Sequence, residues 1–111
     1  MPAPKRDQAS AQPVVQTRVE SDVTIIAVSG EVDLASLDEL DTTIRVAERN
    51  PTKWIVIDLH DLRFLDSTGL SLLLEARRRS MDNGNRLRFV PSRHEQVTRL
   101  LSVTGTSELF S

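Results

Sequence analysis

The chain has 111 residues, the size of one domain, with 39% hydrophobic and 27% charged residues, ordinary proportions for a chain that folds around its own core. It has no cysteine, which excludes disulfides, thiolate catalysis, Cys-ligated zinc and iron–sulfur clusters. Fourteen Lys and Arg against sixteen Asp and Glu leave a net charge of −2, so there is no positive excess to recruit a nucleic-acid backbone, and no apolar run approaches the ~20 residues of a membrane span.

Residues 1–13 hold three of the five prolines and lack the apolar segment of a signal peptide. They read as a disordered N-terminal tail on a cytoplasmic protein, which leaves 14–111 for the domain. Residues 14–20 and 23–29 are rich in β-branched side chains, and Ser21-Asp22 between them predicts a tight hairpin turn. Gly30 ends the second strand. Ser36 with Glu39 has the form of a capping box, and Leu37, Leu40, Ile44 and Ala47 recur at helical spacing. Together they predict an amphipathic helix over 37–49, ended by Asn50-Pro51.

Residues 54–59, Trp-Ile-Val-Ile-Asp-Leu, form a nearly continuous apolar run of the kind found in strands buried on both faces. A loop over 60–65 leads into Asp66-Ser67-Thr68-Gly69 and a helix over 70–81, with Asn83-Gly84 as its stop. Arg77, Arg78 and Arg79 near its end either complement the helix dipole or form a docking patch. Residues 86–90 read as a fourth strand. Ser92 with Glu95 repeats the capping-box pattern and opens a third helix through about Ser102, with Val97, Leu100 and Leu101 inward. The order β-β-α-β-α-β-α predicts an α/β fold, a mixed and largely parallel sheet of four to five strands with helices packed on it.

Glycines stand only at 30, 69, 84 and 105, so neither a Rossmann nor a P-loop glycine pattern can be assembled. His60 and His94 are isolated and read as surface residues, so no metal or cofactor is expected. The segment Asp66-Ser67-Thr68-Gly69-Leu70 has three enzymatic lookalikes, and each fails on spacing. Two hydroxyl residues separate Asp66 from Gly69, unlike the Asp-Thr/Ser-Gly of aspartic proteases. Leu65 stands where a nucleophile elbow needs glycine. A phosphoaspartate receiver needs an acidic pair after its first strand, and 14–20 leads into none. Asp66 or Ser67 caps the helix, and a phosphate added to a hydroxyl there would meet free backbone N–H groups.

Leu62-Arg63-Phe64-Leu65-Asp66-Ser67-Thr68-Gly69-Leu70 resembles the signature of the STAS domain family, and more narrowly that of bacterial anti-sigma factor antagonists. Gly30-Glu31-Val32-Asp33 resembles that family's Gly-Glu-hydrophobic-Asp segment before its first helix, and 54–59 fits its central strand. The resemblance covers about residues 14–110. It implies a partner switch rather than catalysis. The unphosphorylated antagonist binds an anti-sigma factor, a serine kinase with a histidine-kinase-like ATPase fold, and so frees a sigma factor for RNA polymerase. Phosphorylation of the signature serine reverses this, and a phosphatase restores it.

Carried over residue by residue, the phosphoacceptor is Ser67, with Thr68 as the less favoured second hydroxyl. Asp33 and Asp66 line the acceptor, Gly69 lets the partner approach, and Gly30, Glu31, Thr68 and Ser71 complete the partner-binding set. Thr68 departs from the serine common after the acceptor, and Ser71 from the Gly or Ala of many relatives. Both motifs occupy strand-to-helix loops, so Asp33, Asp66 and Ser67 are expected at one sheet edge, with Ser67 open to solvent. Two other roles fit the same fold: a stand-alone STAS subunit of a lipid or ABC transporter or stress-sensing complex, and a small nucleotide- or lipid-binding sensor.

Overall fold

The computed structural model describes residues 14–110; the tail expected over 1–13 lies outside the described residues. In chain order the elements are β1 (Val15–Glu20), β2 (Val23–Val28), β3 (Gly30–Glu31), α1 (Leu34–Arg49), β4 (Trp54–Asp58), β5 (Leu62–Phe64), α2 (Ser67–Asp82), β6 (Leu87–Val90) and α3 (Glu95–Val103), followed by a 3₁₀ turn at Ser107–Phe110. The hairpin forms as the sequence predicts, with Glu20 opposite Val23 and Ser21 in the left-handed region at φ 54°. Asp22 then fastens this turn to β4, its carboxylate accepting from the Lys53 amide at 2.9 Å and its carbonyl from the Trp54 amide at 3.2 Å.

The main sheet has the order β1-β2-β4-β6, with β2, β4 and β6 parallel and β1 antiparallel at the edge. This is the mixed α/β architecture expected. Alternate residues of the central strands, Thr24, Ile26 and Val28 on β2 and Ile55 and Ile57 on β4, are buried. The apolar ones share one core with Leu37, Leu40, Ile44 and Ala47 of α1, Leu70, Leu73 and Ala76 of α2, and Val97 and Leu101 of α3. Each large aliphatic side chain so buried contributes about 1.5–3 kcal/mol. Phe110 closes the core edge-to-face on Phe89, with ring centroids 4.6 Å apart.

Four expectations are corrected. β4 is buried on one face only, because Trp54, Val56 and Asp58 are half-buried on the side away from the helix core. The apolar Trp54 is tolerated there because a long charged neighbour covers it: the Arg88 guanidinium lies 4.6 Å from its ring centre. The predicted loop over 60–65 contains β5, which pairs in parallel with β3 as a separate two-stranded ladder.

The other two corrections concern helix starts. α1 begins at Leu34, capped by Asp33 rather than Ser36, and Ser36 is buried inside the first turn. α3 is preceded by His94, without a side-chain cap bond. Ser92 is buried and occupied elsewhere, donating to the Leu62 carbonyl at 2.7 Å while accepting from the His94 amide at 3.0 Å.

The arginines at the end of α2 do not form a common patch. Arg79 turns inward to Glu48 of α1 at 3.1 Å, Arg77 bonds the Met81 sulfur, and Arg78 pairs with Glu75.

Candidate functional site

β3 and β5 set the geometry of the site. Gly30 pairs with Leu62 and Glu31 with Phe64, so both chains leave this ladder in the same direction, and each enters a helix. Gly30 adopts φ +74°, a conformation glycine reaches without strain, and this turns the chain from β2 into β3. Asp33 follows Glu31 by two residues and Asp66 follows Phe64 by two, so the register brings the two helix starts to one edge.

Both aspartates are N-caps in extended conformation. Asp33 accepts from the Ser36 amide and Asp66 from the Gly69 amide, each at 2.9 Å. Each bond satisfies one of the amides that a helix start leaves without an intrahelical partner, and a cap of this kind is worth about 1 kcal/mol. The Asp33 carboxyl is held below the usual carboxylate range, chiefly by the Ser36 amide and then by the Ser36 hydroxyl.

Ser67 is the first residue of α2 and is exposed, as are Thr68, Asp66, Asp33, Glu31 and Ser71; Gly30 is half-buried. Gly69 is different. It is buried, and a Cβ there would lie 2.6 Å from Leu65 Cδ1. Leu65 is itself 1% exposed, so packing beneath the helix requires a glycine here. Two apolar residues outside the expected partner-binding set stand exposed on the same edge. Leu34, directly after the Asp33 cap, is 83% exposed, and Phe64, paired with Glu31, is 42% exposed.

The STAS domain family model matches residues 14–111. The chain belongs to the STAS domain family. The anti-sigma-B factor antagonist of Staphylococcus aureus is 24% identical over 96 residues, covering 86% of this chain and 88% of that protein, and the Staphylococcus epidermidis protein of the same name is 25% identical. Among solved structures, an anti-sigma factor antagonist from Mycobacterium paratuberculosis superposes with a TM-score of 0.73 at 25% identity, covering 86% of this chain and 80% of that one. Unphosphorylated SpoIIAA shares the fold, with a TM-score of 0.72 at 19% identity over 87% of this chain and 85% of its own.

In this STAS domain the signature loop is also held from outside the signature. Gln96 of α3 accepts from the Leu65 amide at 2.8 Å and donates to the Leu65 carbonyl at 2.9 Å. Nothing in the sequence pattern marks Gln96, because the contact joins residues thirty-one apart. Leu34 was detectable in principle, as an apolar residue directly after an aspartate cap and before the buried stripe begins at Leu37. Among the described residues, no helix is long and apolar enough to cross a membrane.

Proposed function

We propose that this protein is an anti-sigma factor antagonist that works by protein binding in the cytoplasm rather than by catalysis. It docks an anti-sigma factor on the edge formed by β3, β5 and the starts of α1 and α2. It is switched off by phosphorylation of Ser67. The observation that carries this reading is the exposed Ser67 hydroxyl at the first position of an aspartate-capped helix, on the same edge as the exposed apolar side chains Leu34 and Phe64. The names of the Staphylococcus relatives support the same reading. The partner is a serine kinase with a histidine-kinase-like ATPase fold, whose capture frees a sigma factor for RNA polymerase. A phosphatase resets the switch. Gly30, Glu31, Asp33, Asp66, Thr68 and Ser71 flank the acceptor in the docking surface, and Gly69 shapes it from below.

The sign of the switch follows from charge. A phosphoserine carries about −1.5 to −2 charges, and a helix N-terminus returns ~0.3–1 kcal/mol, rising to about 2 in favourable geometry. Asp66 is adjacent and Asp33 is on the same edge, so like charges oppose the addition. A docked partner must also strip water from the new charge, at a cost of several kcal/mol unless it is paired. Each ~1.4 kcal/mol is tenfold in affinity, so modification is expected to weaken binding by at least one to two decades.

The test is calorimetric titration with an anti-sigma kinase of this class from the same genome. Ser67→Ala is expected to bind like wild type, and Ser67→Glu at least tenfold more weakly, with thermal melts nearly unchanged. Equal affinities for all three proteins would reject the switch, and absence of binding by wild type to every such kinase would reject the antagonist reading.

A further inference from the structure

We infer that Gln96 is the positioning residue of the Ser67 loop, its side-chain amide standing in for a neighbouring strand at Leu65. This rests on the proposed role of Ser67. β5 has β3 as its ladder partner only as far as Phe64, since β3 ends at Glu31. The next peptide groups would face a part-buried environment with no strand to bond. Gln96 supplies what is missing, with Oε1 taking the Leu65 amide and Nε2 giving to the Leu65 carbonyl, at 2.8 and 2.9 Å. A primary amide presents a donor and an acceptor side by side, as a peptide group does; Asn has the same group, and a carboxyl matches it only when protonated.

The grip is double. Four residues earlier, buried Ser92 donates to the Leu62 carbonyl at 2.7 Å, so the segment that enters α3 holds the chain at the first residue of β5 and again just past its last. From Leu65 the chain of restraint to the acceptor is short. The Leu65 side chain is buried beneath Gly69, Asp66 caps α2 through the Gly69 amide, and Ser67 is the first residue after that cap. Fixing Leu65 at its backbone and its side chain therefore fixes where α2 starts, and with it the backbone position of Ser67. Loss of Gln96 leaves one donor and one acceptor of the loop without protein partners, which admits water and frees the loop.

The decisive comparison is Gln96→Glu against Gln96→Ala, read by amide hydrogen exchange on the whole protein. In Gln96→Ala the protection factor of the Leu65 amide is expected to fall at least tenfold, while the amides of Ile26 and Ile57 in the central strands keep theirs. Gln96→Glu keeps the shape but, when ionised, turns a second oxygen toward the Leu65 carbonyl. At neutral pH one carboxylate oxygen can still accept from the Leu65 amide while the other repels the Leu65 carbonyl, so protection is expected to fall below wild type but by less than in Gln96→Ala. Below about pH 4, near the ordinary glutamate value, the protonated carboxyl donates again and protection is expected to return to within a few-fold of wild type at the same pH.

A residue that merely fills space would show no such recovery. Unchanged Leu65 protection in Gln96→Ala, or a Gln96→Glu protein that shows no pH-dependent difference from wild type, overturns the inference. Should Gln96→Ala fail to fold, the pH response of Gln96→Glu decides alone. Titration of the same variants with the anti-sigma kinase is expected to show weaker binding for Gln96→Ala. If wild type binds no such kinase, the antagonist reading fails, while the exchange data still decide the role of Gln96.

Discussion

The two helix starts on the functional edge share a cap and differ in what surrounds it. Asp33 and Asp66 have nearly the same backbone angles, φ −103° and −104°, and both accept from the amide three residues on at 2.9 Å. At α1 that third residue is buried Ser36, whose hydroxyl gives the same carboxylate a second donor. At α2 it is Gly69, which has no side chain to give, and the two residues between cap and glycine are exposed hydroxyls. The α1 start is thus closed on itself and presents an apolar residue, Leu34, while the α2 start presents Ser67 and Thr68 to solvent. A capping aspartate is a device of stability at both. Only one of them leaves a hydroxyl free for chemistry.

The sharpest structural difference between the two starts is the third position. Gly69→Ala is expected to destabilise the fold by about 1–3 kcal/mol, since the new methyl must displace fully buried Leu65. Ser36→Ala, which adds nothing in the same position of α1, is expected to cost less. Chemical denaturation of both variants checks this, and equal losses would erase the packing difference between the two helices.

The caps themselves come next. Asp33→Ala and Asp66→Ala are each expected to lose about 1 kcal/mol in the same experiment. Asp66→Ala is expected to slow phosphate transfer to Ser67 by an anti-sigma kinase more than Asp33→Ala does, because Asp66 is the acceptor's neighbour in the chain. Matching transfer rates for the two variants would mean the α2 cap serves stability only.

The smallest effect is in acid. The Asp33 carboxyl lies below its ordinary value of 3.8 through its Ser36 donors, so its contribution to stability is complete above that value and is lost as pH falls through the lower, folded-state value. An NMR titration is expected to place the Asp33 midpoint below 3.8 and to move it upward in Ser36→Ala. A midpoint unmoved by Ser36→Ala would remove the hydroxyl from the closed cap.

Much of the fold and of this edge was legible from residue order because the determinants are local. The Ser21-Asp22 turn, the stripe of Leu37, Leu40, Ile44 and Ala47, and the two acidic motifs each lie within a few residues of what they organise. The errors fall where one residue had two uses. Ser36 with Glu39 fits a capping box, but Asp33 stands three residues earlier, takes the cap, and leaves Ser36 to be buried as its donor. Ser92 with Glu95 fits the same pattern, yet the Ser92 hydroxyl goes to Leu62, thirty residues away. β5 escaped notice because three residues pairing with two carry no periodic signal, and Gln96 because its partner is a peptide group rather than a side chain. The open face of β4 was misread because Trp54 and Val56 are apolar, and only the structure shows Arg88 laid over the Trp54 ring.

The claim that most depends on the difference between the two helix starts is that Ser67 alone receives phosphate. The direct measurement is incubation of the full chain with the anti-sigma kinase and ATP, followed by mass-spectrometric mapping over Ser36, Ser67, Thr68 and Ser71. The expected result is one phosphate, on Ser67, abolished by Ser67→Ala. Phosphate on buried Ser36, or a kinase that binds the chain and transfers phosphate anywhere but Ser67, would contradict it.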